Sequence, residues 1–512
     1  MRLTTLVTTT LVGLGLVLAG PAAARTTSAS PGAAGLGDRL FPGLGNGGYD
    51  VARYNLDLLY LSEDPAQPLY GHVDITARAT QSLSRFNLDF AGESVGAVWV
   101  DGVRAAWTRD GEELVITPPR AIRDGRRFSV QVRNFVSAPT VPDAEDPFSV
   151  AFFYSAEGSG TAPQPDGAHR IYPSNDHPRD KASFRFRIDA PAALTAVANG
   201  VLTGTRALPG RKVWKYEQRQ PMATELTQLA VGRYTQIDRG GSDGVILRDL
   251  VPPASLADLE PKLALAREHL DFLRARVGRY PFDLYGSFVT NAPLGFALET
   301  QTLSVYDGTV FSEFPQGLWE GFMMHELTHE WFGNSVSPAD WSDLWLNEGH
   351  ATWYELVYAE SKGYVQEDTG TEAATLAEYM RIVYAAQAQL RADFGPPGRP
   401  KSGAPAEFFN PNVYGGGALV LYALRNEIGV EAFERLQRRW VRENEGRSVT
   451  TADFTALASR VAGRDLTAFM DAWVYGESAP PVPGHPDWTI DPVPAPTRAL
   501  LAHKPHGVGI RR

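Results

Sequence analysis

His325-Glu326-Leu327-Thr328-His329 sits inside residues 315–333, a stretch predicted to be helical and to stop at Gly333. Two His at i and i+4 share one helix face, with Cβ atoms ~5–6 Å apart. Both imidazoles can then reach one zinc ion at ~2.0–2.1 Å. Two surface His on an amphipathic helix would show the same spacing, so a third donor has to be found. The chain contains no Cys, which leaves His, Asp or Glu. Glu348 follows His329 by 19 positions, in Leu344-Trp345-Leu346-Asn347-Glu348-Gly349. That spacing lets the first helix end, turn, and return with Glu348 one helix away. Two His and one Glu with an open water position form the catalytic arrangement of zinc, not the closed structural one. His350 competes for the role. Two residues past Glu348 on a helix, it points to roughly the opposite face and is assigned to structure. Glu326, adjacent to a ligand, is the natural general base. Glu330 is expected as a solvated or supporting acid. Asn347 and Asp343 are the candidates for orienting the ligands.

Around this centre the pattern divides the chain. Tyr54, Leu56 and Leu58 alternate with Asn55 and Asp57, and Val73, Ile75 and Ala77 alternate with Asp74 and Thr76. Period two predicts strands. Asp101-Gly102 and Asp110-Gly111 predict hairpin turns. Residues 45–243 therefore read as an antiparallel β-sandwich or saddle domain. After Asp249 helical patterns take over. Ser255 is expected to cap a helix running to Val277, and further helices are expected at 343–362, 366–392, 413–428, 430–445 and 451–462. One short β region, 285–305, interrupts them. Residues 244–480 read as a mainly helical α+β domain, so the fold class is α+β multidomain.

Residues 1–24 resemble a secretory signal peptide, with Arg2, a short apolar stretch from Leu6 to Leu18, and Ala22-Ala23-Ala24 before the cut. The stretch is too short to span ~30 Å of hydrocarbon. Residues 25–44 are expected as a flexible linker and 481–512 as a Pro-rich, then basic tail. The balance of 48 Lys+Arg against 59 Asp+Glu gives a net charge of −11. With no long basic stripe, a nucleic-acid binder is excluded. Hydrophobic residues at 43% and charged residues at 21% exclude a disordered chain or a coiled coil. The expectation is a secreted monomer with no membrane anchor.

The longer run His325-Glu326-Leu327-Thr328-His329-Glu330-Trp331-Phe332-Gly333-Asn334, then Trp341 and Leu344 to Gly349, closely resembles the aminopeptidase N family of gluzincins. Tyr172-Pro173-Ser174-Asn175-Asp176-His177-Pro178, followed by Lys181-Ala182 and Phe184, resembles that family's N-terminal β-domain. The resemblance implies a thermolysin-like catalytic domain with one zinc, and removal of N-terminal residues from peptides with a free N-terminus. It places the family's catalytic Tyr on Tyr414, in Val413-Tyr414-Gly415-Gly416-Gly417-Ala418, as a donor to the oxyanion. It places the amine-binding acid on Glu299, in Gly295-Phe296-Ala297-Leu298-Glu299-Thr300, with Phe296 where the family has Gly. Gln164 is the match for a second amine contact. Gly416 stands where the family has Lys. The chain ends near the close of the catalytic domain, which implies a short form without the helical C-terminal domain of larger members. The rival expectations are a thermolysin-like endopeptidase, which needs no amine-binding acid, and a non-catalytic peptide-binding module.

Overall fold

The structure is a computed structural model that describes residues 28–142, 150–242 and 244–491. The expected signal peptide and the last 21 residues of the expected tail, 492–512, lie outside the described residues.

Leu69–Ala79 buries every second side chain, and Tyr49–Leu59 does so on either side of an irregularity between Val51 and Arg53. They pair antiparallel with each other, and Leu69–Ala79 pairs with Arg127–Ser137, at the centre of an eleven-stranded sheet. The turn at Asp101-Gly102 holds both residues at positive φ, 50° and 74°, which the two-residue hairpin requires. A four-stranded sheet that includes Gly158–Thr161 and Leu229–Gly232 shares the same apolar core. Not every pairing in the larger sheet is antiparallel. Tyr49–Leu59 runs parallel to Ala182–Pro191, a long-range contact that no local turn can announce. Tyr54 stacks on Phe184 across it, with centroids 4.8 Å apart.

The second half begins earlier than the expected boundary. Thr235–Ser242 forms a hairpin with Val245–Val251, and both join a mixed sheet with Ser287–Thr290, Ser304–Asp307 and the edge strand Ala297–Leu298. The 243/244 boundary falls inside this hairpin, since the last strands before the helices belong to the second half. The expected helix from Ser255 to Val277 is two helices, Leu256–Leu263 and Ala266–Val277, and the Ser255 side chain caps neither. Pro261, which has no N–H to donate, lies in the first of them. The stretch expected as one helix over 366–392 is three. Gly370 (φ 65°) ends Val365–Thr369, and a capping box of Thr375 and Glu378 starts Leu376–Ala385 before Gln387–Phe394.

Three helices build the centre of the molecule. The motif helix, Gln316–His329, is buried along nearly all its length, which excludes an amphipathic surface helix. The returning helix, Trp345–Lys362, lies against it. The glycine helix, Pro411–Ile428, is capped by the Asn410 side chain and lies against the returning helix. They meet at glycines: a Cβ on Gly349 would lie 2.9 Å from the Cα of Gly417. Gly416 leaves room for the Asn412 side chain, which a Cβ there would meet at 2.1 Å.

Two segments expected to be loose are packed. In the expected linker, Leu40 and Leu44 enter the core of the helical half. Buried Asp38 accepts from the Leu40, Phe41 and Trp341 N–H groups and contacts His177. In the expected tail, Trp488 stacks on Tyr422 of the glycine helix, and His485 bonds the Tyr422 hydroxyl. The Gly- and Pro-rich composition hid these apolar and acidic anchors.

Candidate active site

The i,i+4 spacing sets the His325 and His329 rings 4.8 Å apart on the motif helix. Glu348, in the first turn of the returning helix, brings Oε2 to 3.2 Å from His325 Nε2 and 3.3 Å from His329 Nε2. All three residues are buried. The far nitrogen of each ring is engaged as well. His325 Nδ1 faces Glu355 Oε2 at 2.9 Å, and His329 Nδ1 faces the Phe332 carbonyl at 3.0 Å. Protons on the two Nδ1 atoms leave two imidazole lone pairs and one carboxylate oxygen converging on one point. A metal ion would satisfy these buried donors together. Two nitrogens and one oxygen, each within 4.8 Å of the others, are the donor set that suits zinc and keeps a position open. Although burial raises the Glu348 carboxyl, His329 and His325 outweigh it and hold the pKa at about 2.

Glu355 was not foreseen. It follows Glu348 by seven positions, two helical turns, so both carboxylates share one face of the returning helix. Of the residues expected to orient the ligands, Asp343 instead accepts from Thr451 at the start of a distant helix. His350 is structural, as expected. Its ring stacks on Phe332 at 4.3 Å, its Nδ1 bonds the Leu346 carbonyl, and burial pushes its pKa down to about 3.

Glu326 and Glu299 both bring a carboxylate oxygen within 4.8 Å of a His329 nitrogen and of each other. Burial pushes Glu326 up to about 8, with the two imidazoles opposing and the nearby carboxylates adding to it. Glu299 directly follows the edge strand Ala297–Leu298, so the sheet delivers it to the metal-side cavity. Gln164 reaches in from the β-rich half and donates from Nε2 to Glu299 Oε1 at 2.7 Å. Tyr414 stands in the first turn of the glycine helix, with its ring 5.9 Å from that of His325. Burial and the surrounding carboxylates raise its pKa well above the usual value, so its hydroxyl remains a donor. Phe296 and Phe409 complete the apolar lining of the cavity.

Glu330 is not solvated. It is fully buried, accepts from the Thr302 N–H and the Tyr280 hydroxyl, and is pushed by burial to about 8. Thr302 sits at φ 68°, a conformation a β-branched residue avoids, so Glu330 clamps a strained turn beside Glu299. Asn334 Nδ2 donates to the Glu299 carbonyl at 2.6 Å. Lys181 from the β-rich half donates to the Asn334 and Ser335 carbonyls at 2.7 and 2.9 Å.

A buried two-His, one-Glu centre with a neighbouring carboxylate, on helices packed against a mixed sheet, defines a zinc metallopeptidase. Comparison with known proteins narrows the class. Residues 294–473 match the Peptidase family M1 domain, and residues 52–226 match the Peptidase M1 N-terminal domain. The M1 zinc metallopeptidase from Deinococcus radiodurans is 30% identical, with a TM-score of 0.72 over 88% of this chain and 98% of that one. A variant of that protein bound to a Tyr-Ser-Ala substrate gives the same TM-score, identity and share of this chain, with 99% of its own chain covered. Aminopeptidase N of Streptomyces lividans is 27% identical over 60% of this chain and 36% of its own length. Aminopeptidase M1 of Arabidopsis thaliana is 24% identical over 62% of this chain and 37% of its own. The chain thus spans little more than a third of the length of these curated relatives. The chain belongs to the peptidase M1 family.

Proposed function

We propose that this chain is a secreted zinc aminopeptidase that removes N-terminal residues from peptides. The observation that carries the reading is the Glu299–Gln164 pair beside the metal centre, since an endopeptidase needs no buried acid at that point. His325, His329 and Glu348 hold the zinc, which when bound supplies a Lewis acid for the scissile carbonyl and lowers the pKa of water. Glu326 accepts the proton of the attacking water and passes it to the leaving amine. The Tyr414 hydroxyl donates to the developing oxyanion, a bond that strengthens in the transition state. Glu299 and Gln164 hold the substrate's α-ammonium, so the cut falls one residue from the end. A blocked N-terminus would leave a buried carboxylate unpaired, and such losses discriminate strongly.

The test is kcat/KM on matched peptides with free and acetylated N-termini. The free peptide should be cleaved far faster, and Glu299→Ala should narrow the gap. Equal rates by the wild type would overturn the reading in favour of an endopeptidase. Secretion rests on the composition of residues 1–24, and N-terminal sequencing of protein from culture medium tests it. A start close to Arg25 is expected. The monomeric state is tested by sedimentation.

A further inference from the structure

Glu225 lies beside the amine pocket with no part in the reaction as described above. It sits on the 3-10 turn Thr224–Leu226 of the β-rich half and is 1% exposed. The turn is pinned on two sides. Thr224 Oγ1 donates to Asp176 at 2.6 Å, and the Leu226 carbonyl accepts from the Gln301 N–H and from Asn199 Nδ2. The Glu225 carboxylate is thereby fixed relative to Glu299, two residues before Gln301.

Between the two acids lies the Gln164 amide. Its Nε2 is 2.7 Å from Glu299 Oε1 and 3.5 Å from Glu225 Oε2. A carboxyl group offers an acceptor oxygen whether or not its other oxygen is protonated, and an amide nitrogen carries two hydrogens. The nitrogen is therefore the end of the side chain that can serve both acids. With both hydrogens directed at carboxylates, the amide plane is set, and the carbonyl oxygen is what Gln164 retains for a ligand. Gln164 lines the cavity, and an ammonium group needs acceptors. With Glu299 alone, the amide could pivot about a single hydrogen bond. Burial, with Glu299 and Asp176 nearby, raises the Glu225 carboxyl well above its usual value, while Lys181 and Gln164 oppose this. A substrate cation arriving in the pocket acts in the same direction as Lys181.

We propose that Glu225 is a positioning residue for α-amine recognition, holding Gln164 so that its carbonyl oxygen meets the substrate's ammonium group. The inference rests on the aminopeptidase reading and adds a third residue to its specificity. Glu225→Met keeps the side-chain length and removes both acceptors, and Glu225→Ala is made beside it in case Met does not fold. Glu225→Gln keeps one acceptor and serves as the rescue. Each is measured with an aminoacyl amide and with matched free and acetylated peptides, after zinc content and Tm show an intact fold. Glu225→Met should raise KM for free-amine substrates about tenfold, the low end for a hydrogen bond to a charged group, with little change in kcat. The preference for free over acetylated peptide should shrink by the same factor. Glu225→Gln should stay close to wild type, and Glu225→Met should add nothing in a Gln164→Ala background. Unchanged KM in folded Glu225→Met, an equal loss in Glu225→Gln, or additive losses with Gln164→Ala would each overturn the proposal. If the wild type itself fails to prefer free amines, the aminopeptidase reading is what falls.

Discussion

Truncating Glu355 should weaken metal binding without removing any ligand. His325 Nδ1 lies 2.9 Å from Glu355 Oε2, and Glu355 is completely buried. The contact is a charge-assisted hydrogen bond out of water, short enough to fix both the tautomer and the ring plane. It also makes the imidazole a better donor toward the metal. Loss of such a partner typically costs 10–100-fold in metal affinity, or ~1.4–2.8 kcal/mol. The two obvious substitutions should separate within that range. Glu355→Gln keeps an oxygen acceptor and loses only the charge, so it belongs near tenfold. Glu355→Ala leaves a buried Nδ1–H with no acceptor, which adds the cost of an unmade hydrogen bond and belongs near a hundredfold. Competition with a chelator of known zinc affinity reads the dissociation constant, and circular dichroism of the metal-free proteins verifies the fold. Unchanged zinc affinity in folded Glu355→Ala would refute the argument. Equal losses in the two variants would show that charge, not the hydrogen bond, orients His325.

Glu326→Gln should retain one zinc per chain by elemental analysis while turnover falls ~10²–10⁴-fold, as loss of a general base does. Gly349→Ala should lower stability by ~1–3 kcal/mol through overpacking, because the new Cβ would lie 2.8 Å from the carbonyl carbon of Gly417. Activity should fall further than the Tm shift accounts for, since the two helices carry Glu348 and Tyr414. A pH dependence should come from the β-rich half. Burial alone would lower His169, but its contacts with Asp176 (2.7 Å) and Glu112 (3.6 Å) prevail and raise it to about 10. Its folded value exceeds the ~6.5 of an unfolded His, so its stabilisation is complete below that pH. It is lost as the pH climbs towards 10. Urea midpoints across this window should fall more steeply for wild type than for His169→Gln.

What could be read from the sequence, and what could not, follows the range of the interactions. His325 and His329 were legible because helix period alone brings them together. Glu348 was legible because one turn and a returning helix are the only short path between them. The strands of 49–79 were legible because one buried face imposes period two. Glu355 was within reach of the same reasoning, at i+7 from Glu348, but a lone acid on a helix carries no motif. Gln164 and Glu225 were harder. They are 135 and 74 positions from Glu299, and only the closed fold brings them together around it. The same holds for Asp38, whose place between His177 and Trp341 turns an apparent linker into a strap. Breaks in helices escaped for a local reason. Gly370 and the Thr375 capping box interrupt a stretch whose apolar spacing alone continues through them.

The two jobs of the site are tied together by the motif that defines it. Beyond the two His, Glu330 anchors the Thr302 turn and Asn334 holds the Glu299 carbonyl. The segment that carries the metal-binding His therefore also sets the position of Glu299, the proposed amine-binding acid. Lys181 fastens the segment after the motif helix to the β-rich half through the Asn334 and Ser335 carbonyls, and that half supplies Gln164. Burial lowers the Lys181 pKa to about 7, with Glu225 opposing, so the tie is made by a cation that desolvation makes costly to hold. Under the proposed reaction, the distance from the α-ammonium to the attacked carbonyl is one residue and must not vary. A loop holding Glu299 alone could drift and admit internal bonds. A loop clamped by Glu330 and Asn334, and braced by Lys181, cannot move without moving the metal centre with it. Exopeptidase specificity then belongs to the rigidity of the frame as much as to the charge of Glu299.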